Sequence, residues 1–90
     1  MAIAMIFDVP EMTQAVYDRV RAEVLPDNRP AAGMLYHVAG PGPSGWRVVE
    51  VWESQEAADR FFQAPLGPAL RRANTSVQPQ VFPVHNTMQP

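Results

Sequence analysis

The segment from Trp46 to Trp52, with the sequence Trp-Arg-Val-Val-Glu-Val-Trp, constrains the fold more than any other part of the chain. Its β-branched and aromatic residues favour a strand. Successive strand side chains point to opposite faces, so Val49 and Val51 share one face while the two tryptophans and Glu50 share the other. We expect the valine face to pack against helices and the tryptophan face to line a covered cavity, because two indoles are too large and apolar for an open sheet face.

The surrounding segments follow the order β-α-β-β-α-β. Short apolar runs predict strands, and apolar residues three and four apart predict amphipathic helices. The predicted elements are strands at 2–8, 34–39 and 46–52, helices at 14–25, 54–62 and 66–72, and an extended segment at 77–88. This order is typical of an α+β, ferredoxin-like βαββαβ fold, a four-stranded antiparallel sheet with two helices on one face. Residues 1–90 are expected to form this single domain.

The register of the hairpin decides which polar side chain meets Glu50. The second and third strands are joined by the turn-forming sequence Gly-Pro-Gly-Pro-Ser-Gly, which predicts an antiparallel hairpin. If the hairpin closes symmetrically around 42–43, His37 lies opposite Val48 and stands beside Glu50 on the tryptophan face, away from the helices. A shift of one residue places Tyr36 there instead. The sequence leaves both registers open.

The chain is predicted to carry more apolar sheet surface than it can cover alone. Both sheet faces are apolar, but the helices cover only one, so a homodimer with its two sheets face to face is the simplest solution. Pro79 and Pro83 cannot donate to a sheet, which makes the last segment an edge strand or an arm. The apolar residues Phe82, Val84 and Met88 suit an arm that reaches the partner.

Composition excludes several classes of protein. The chain has no cysteine, which rules out a disulfide scaffold, a zinc ribbon and a catalytic thiol. Its seven arginines and nine acids give a net charge of −2, which does not suit nucleic-acid binding. No apolar run approaches the ~20 residues of a membrane helix, and the start lacks the features of a signal peptide. A cytoplasmic protein is expected.

The stretch 46–62, Trp-Arg-Val-Val-Glu-Val-Trp-Glu-Ser-Gln-Glu-Ala-Ala-Asp-Arg-Phe-Phe, resembles the dimeric α/β-barrel proteins of the antibiotic-biosynthesis-monooxygenase-like superfamily. The recurring piece is Trp-Glu-Ser at 52–54, where the strand meets the helix. The sequences at 33–40 and 81–86 are similar to those of small actinobacterial members. The resemblance covers almost the whole chain. It implies a dimeric α/β barrel with one pocket in each subunit, between the sheet and the helices or inside the barrel.

The superfamily includes enzymes that catalyse different reactions, and this sequence carries only some of the site residues of each of two branches. In its haem-degrading branch, Trp52 would lie by the haem and a histidine of the second helix would bind iron, but this helix contains no histidine. In its cofactor-independent, quinone-forming branch, a strand asparagine, a tryptophan and acid–base groups contact an aromatic polyketide. This chain offers Trp52 and Asp8, without an asparagine on the first strand.

His37 and Glu50 are the candidate catalytic pair. A carboxylate beside an imidazole fixes its tautomer and suits it to act as a general base. The same pair would equally serve as a buried hydrogen bond that satisfies two polar groups. The candidates for substrate binding are Trp52, Trp46, Asp8, Tyr36, Phe62 and His85.

Each of those residues also has a structural alternative. The tryptophans and Phe62 suit core packing as well as stacking on an aromatic ring, and Asp8 suits a turn. His85 lies in the arm, where it would face solvent or a partner. No metal or organic cofactor is expected, because two histidines without close spacing do not make a metal site.

These features predict a small homodimeric enzyme that acts without a cofactor on an apolar, aromatic or polyketide-like molecule. It would be a monooxygenase or a cyclase/isomerase, with His37 abstracting a proton and Glu50 orienting it. Two alternatives stay open: a non-catalytic binding or stress-related dimer, and a structural dimer whose cavity is filled by side chains. An enzyme or a binder needs a hollow of roughly a few hundred Å3 on the face that bears Trp52.

Overall fold

A computed structural model describes residues 1–90. The elements follow the predicted order and include the short third helix predicted at 66–72. The strands are β1 (Ile3–Val9), β2 (Met34–Gly42), β3 (Gly45–Trp52) and β4 (Gln80–Pro83), and the helices are α1 (Gln14–Val24), α2 (Gln55–Phe61) and α3 (Gly67–Arg72). None of the helices is long and apolar enough to span a membrane.

The four strands form one antiparallel sheet in the order β2-β3-β1-β4. The ferredoxin-like α+β fold predicted from the sequence is therefore confirmed. β4 lies at the edge, in keeping with Pro83, since a central strand needs the backbone donors that proline lacks. The two central strands, β1 and β3, supply most of the residues that face the helices.

Capping residues fix where the two main helices begin. The Thr13 side chain accepts a hydrogen bond from the Val16 amide at 3.2 Å, and Ser54 does the same for Ala57 at 3.1 Å. α1 ends before Pro26, which cannot continue a helix. α2 passes through a wide turn at 62–66, which contains one proline, before α3 resumes the helical layer.

The helices cover the tryptophan face of the sheet, so the predicted assignment of faces was wrong. Trp52 is fully buried and its ring lies 5.5 Å from that of Phe61 on α2. Val49 and Val51 lie on the face without helices. The physical reason lies in β1, whose larger apolar residues alternate onto the same face as Trp52, so that this face offers the most area for burial.

The hairpin closes one residue later than predicted. Gly42 pairs with Gly45, and His37 pairs directly with Glu50 rather than with Val48. An irregularity at Leu35 shifts the start of β2. The partner of His37 is therefore two residues further along β3 than predicted. Because strand side chains alternate with a period of two, His37 still shares a face with Glu50, while Tyr36 points to the opposite face.

Candidate functional site

A chain of hydrogen bonds crosses the helix-covered face of the sheet. The Trp52 indole Nε1 donates to Glu50 Oε1 at 2.9 Å, and His37 Nδ1 lies 2.8 Å from Glu50 Oε2. On its other side, His37 Nε2 lies 2.6 Å from the Tyr17 hydroxyl of α1. We call these four residues the relay. It joins two strands and a helix, so the fold itself sets its geometry.

The partners of Glu50 assign the protons of the relay. Its side chain is only 5% exposed, and it is the one buried residue with a charged side chain. Such a carboxylate requires donors on its oxygens. His37 therefore donates its Nδ1 proton to Glu50, which leaves Nε2 free to accept the proton of the Tyr17 hydroxyl. A base held in one tautomer by a carboxylate is the arrangement that activates a hydroxyl group in many enzymes.

Tyr17 is the outermost member of the relay. Burial raises the pKa of its hydroxyl, an effect that the charge of Arg21 partly offsets and the charge of Glu50 reinforces. The hydroxyl thus stays protonated at neutral pH and donates to His37. The Tyr17 ring packs against Trp46, with 5.6 Å between ring centroids, which holds the hydroxyl in position.

A cavity of about 70 Å3 lies between the sheet and the helices, beside the relay. Most of its lining is hydrophobic, and Tyr17, His37 and Glu50 reach it from one side. A second, more polar hollow of about 250 Å3 adjoins it and shares Tyr17 and His37 as lining residues. We call them the inner cavity and the outer hollow. The inner cavity alone is smaller than the predicted few hundred Å3.

The structure brings some of the predicted site residues together. His37 and Glu50 meet as expected, and Phe62 lines the inner cavity. Trp52 lines neither hollow: it is buried beneath Glu50 as its hydrogen-bond donor, so its predicted place against a ligand was wrong. Trp46 also lines neither hollow and contacts Tyr17 instead.

The other three predicted residues lie apart from the relay. Asp8 is on the open sheet face, where Arg47 Nε donates to it at 2.7 Å, so its predicted place as a cavity acid was wrong. Tyr36 is half exposed and borders only the outer hollow. His85 is exposed beyond β4, with no side-chain hydrogen bond.

Sequence reasoning missed Tyr17 and Arg21. Both lie in the helix predicted at 14–25, and neither was among the predicted site residues. Their spacing of four residues places them on one side of the helix. However, only the packing of α1 across the sheet determines that this side lies over His37.

No group of three or more histidine, aspartate or glutamate side chains comes together as a set of metal ligands. The titratable groups of the relay are an imidazole, a carboxylate and a phenol. These groups can accept, hold and return a proton.

Several solved structures share this fold. Rv0793 from Mycobacterium tuberculosis superimposes with a TM-score of 0.75 at 12% identity, over 99% of this chain and 100% of that one. A variant of SnoaB, a cofactor-independent oxygenase from Streptomyces nogalater, gives 0.67 at 14% identity, over 99% and 97%. A candidate antibiotic biosynthesis monooxygenase from Deinococcus radiodurans gives 0.66 at 14% identity, over 100% and 98%.

This chain thus shares the fold of these proteins, and the resemblance noted from its sequence is confirmed at the level of fold. No family model and no curated protein matches the sequence. The similarity to small actinobacterial members stays a prediction.

Proposed function

We propose that this chain is a cofactor-independent, monooxygenase-like enzyme that removes a proton from an aromatic or polyketide-like molecule. The observation that carries the proposal is the relay, in which a buried carboxylate orients an imidazole toward the Tyr17 hydroxyl at the wall of an apolar cavity. An apolar wall with a few convergent polar groups suits a small aromatic ligand.

The proposed chemical step uses the relay as a base. A substrate C–H or O–H group lies against the Tyr17 oxygen and gives it a proton, while the original Tyr17 proton moves to His37 Nε2. The imidazolium that forms is stabilised by Glu50, whose negative charge lies 2.8 Å from Nδ1. Because burial raises the pKa of Tyr17, its two proton transfers occur together rather than through a free tyrosinate.

Molecular oxygen then accepts the electron pair that the departing proton leaves on the substrate. The carbanion adds O2 to form a C–O bond, and His37 returns its proton to the peroxide. Loss of water from the hydroperoxide leaves a carbonyl, so that overall a ring CH2 and O2 become C=O and H2O. The fold shared with the oxygenase SnoaB supports this reaction over a cyclisation.

We further propose that the enzyme is a homodimer. The sheet face without helices carries exposed apolar side chains on β2 and β4, including Tyr36, Val38 and Phe82 at about half exposure. β2 and β4 are the edges of the sheet, and the apolar side chains of Val49 and Val51 on β3 lie between them on the same face. An exposed apolar face of this kind marks an interaction site. Pairing two such faces would bury them without covering the relay, which lies on the other side of the sheet.

The test is oxygen uptake with anthrone, whose acidic ring CH2 becomes the carbonyl of anthraquinone. The wild type should consume one O2 for each anthraquinone formed. Glu50→Gln keeps the size of the side chain but presents an NH2 group to His37, which must then reverse its tautomer and lose its acceptor for Tyr17. The turnover should fall about 100-fold.

Arg60→Gln is the control for that variant, because Arg60 lies on the exposed side of α2 and pairs only with Glu56. Its turnover should equal that of the wild type. Equal turnover of Glu50→Gln and wild type would remove the relay from the mechanism.

A non-catalytic binding protein is the second candidate. It is favoured by the fact that both nitrogens of His37 already have partners within the protein. In that case, anthrone would bind without losing a proton from its ring CH2 group. Saturable binding without oxygen uptake would support this alternative.

A further inference from the structure

The outer hollow differs from the inner cavity in charge. Arg21 and Arg29 line it, and none of its ten lining residues is acidic. Among the seven arginines, Arg47, Arg60 and Arg72 pair with carboxylates. Neither arginine of the outer hollow has a carboxylate partner. Two arginines thus line the same hollow, and neither forms a salt bridge with a carboxylate of the protein.

Local structure holds both arginines at this position. The Leu25 carbonyl accepts one hydrogen bond from Arg21 Nη1 at 3.0 Å and another from the Asn28 amide at 2.9 Å. Asn28 adopts a left-handed φ of 55°, which turns the chain back toward the end of α1. Pro30 then restricts Arg29 to an extended conformation. This turn keeps Arg29 near the end of α1, where it lines the same hollow as Arg21.

The two hollows meet at the relay. Tyr17, Arg21, Leu25, Met34 and His37 line both of them. The charge of Arg21 also reaches the relay, since it lowers the pKa of Tyr17 against the effect of burial. A ligand that spans both hollows would place its apolar part in the inner cavity and its anionic group in the outer hollow. Its middle would lie at the Tyr17 hydroxyl.

We infer that the substrate is an organic anion, an aromatic body that carries a carboxylate, and that Arg21 and Arg29 bind this carboxylate in the outer hollow. The inference rests on the proposed function in treating the two hollows as one ligand site. Guanidinium groups suit the role because their planar donors match the two oxygens of a carboxylate.

Calorimetric titration of the full-length protein with 2-naphthoate and with 2-naphthamide tests this inference. The two probes share a fused ring and differ in charge. The wild type should bind 2-naphthoate at least about tenfold more tightly, as expected for charge-assisted hydrogen bonds. Arg21→Gln and Arg29→Gln should each lose most of this preference, and added salt should weaken the binding of 2-naphthoate alone.

Arg19→Gln is the matched control, because Arg19 lies on α1, is exposed and lines neither hollow. It should keep the preference of the wild type. The comparison of the two probes on the wild type does not depend on the folding of any variant. Circular dichroism checks that the variants are folded.

The other outcomes separate the inference from the function on which it rests. Equal binding of the two probes by the wild type would overturn the anion site and leave the proposed function standing. A preference that persists in both Arg21→Gln and Arg29→Gln would overturn the assignment to these arginines. Binding of neither probe would overturn the proposed small-molecule site itself, and the inference with it.

Discussion

Both faces of the sheet carry apolar residues, but only one of them is covered by helices. The helix-covered face holds Trp52, Val48 and the single buried charge, Glu50. The open face holds Val49 and Val51, with the Asp8–Arg47 ion pair at one end. The polar groups of the relay are hydrogen-bonded to one another beside a cavity. On the open face the ion pair is exposed.

The two faces therefore suit different roles, the covered face proton transfer and the open face association with a second copy. A buried carboxylate that serves only stability would be replaced with little loss by an apolar residue of the same size. Glu50 instead satisfies two donors and orients a third group, which makes the covered face suitable for proton transfer. The open face has no such network, and its apolar surface suits a second copy of the chain.

The largest expected effect comes from placing a charge on one face or the other. Val48 is buried on the covered face, so Val48→Asp should lower the free energy of unfolding by about 3 kcal/mol or more, measured by urea denaturation. Val49 is its neighbour on the open face and provides the matched control. Val49→Asp should preserve the fold and shift light scattering from dimer to monomer. Equal destabilisation by both substitutions would contradict the distinction between the faces.

The next largest effect is expected from Glu50→Ala. This variant leaves the Trp52 indole and the His37 imidazole without their acceptor in a buried site. The free energy of unfolding should fall by about 2–5 kcal/mol, measured by the same denaturation. A loss within about 0.5 kcal/mol would mean that water replaces the carboxylate and that the site is more open than the structure indicates.

A smaller effect on stability, with a large effect on activity, is expected from Tyr17→Phe. The ring keeps its packing against Trp46, and His37 is exposed enough to find a water molecule. The free energy of unfolding should change by about 1 kcal/mol or less, while the turnover of anthrone falls about 100-fold. Parallel losses of stability and turnover would assign Tyr17 a structural role only.

The smallest effect is expected at the exposed ion pair of the open face. Arg47 lowers the pKa of Asp8 below its usual 3.8 through its hydrogen bond, so the folded chain takes up this proton less readily than the unfolded chain. The pair thus contributes stability above about pH 4 and loses it as the pH falls through the lowered pKa. Asp8→Asn should slightly lower the free energy of unfolding above about pH 4 and leave it unchanged at the acid limit, which flattens the acid side of the stability curve. An unchanged acid limb would contradict this.

The fold was predictable because its signals are local. Thr13 and Ser54 mark helix starts, Pro26 ends a helix, and the glycine–proline turn produces the hairpin. The pairing of His37 with Glu50 was also predictable, since an alternating pattern fixes which side chains share a face once the parity of the hairpin is known.

The identity of the covered face was not predictable from β3 alone. Both faces of that strand are apolar, and the choice depends on the alternation of β1, where Ile3, Met5 and Phe7 pair onto the face of Trp52. Tyr17 joins the relay only because α1 crosses the sheet at the height of His37. That crossing depends on tertiary packing, which no local sequence pattern in α1 predicts.

Proton abstraction by the relay is tested most directly without oxygen. Anthrone in D2O under anaerobic conditions exchanges its CH2 hydrogens, and NMR follows the loss of their signal. The wild type should accelerate this exchange, while Glu50→Gln and Tyr17→Phe should each reduce the acceleration about 100-fold. Exchange at the same rate with wild type and Tyr17→Phe, or at the rate of buffer alone with wild type, would contradict the relay as the catalytic base.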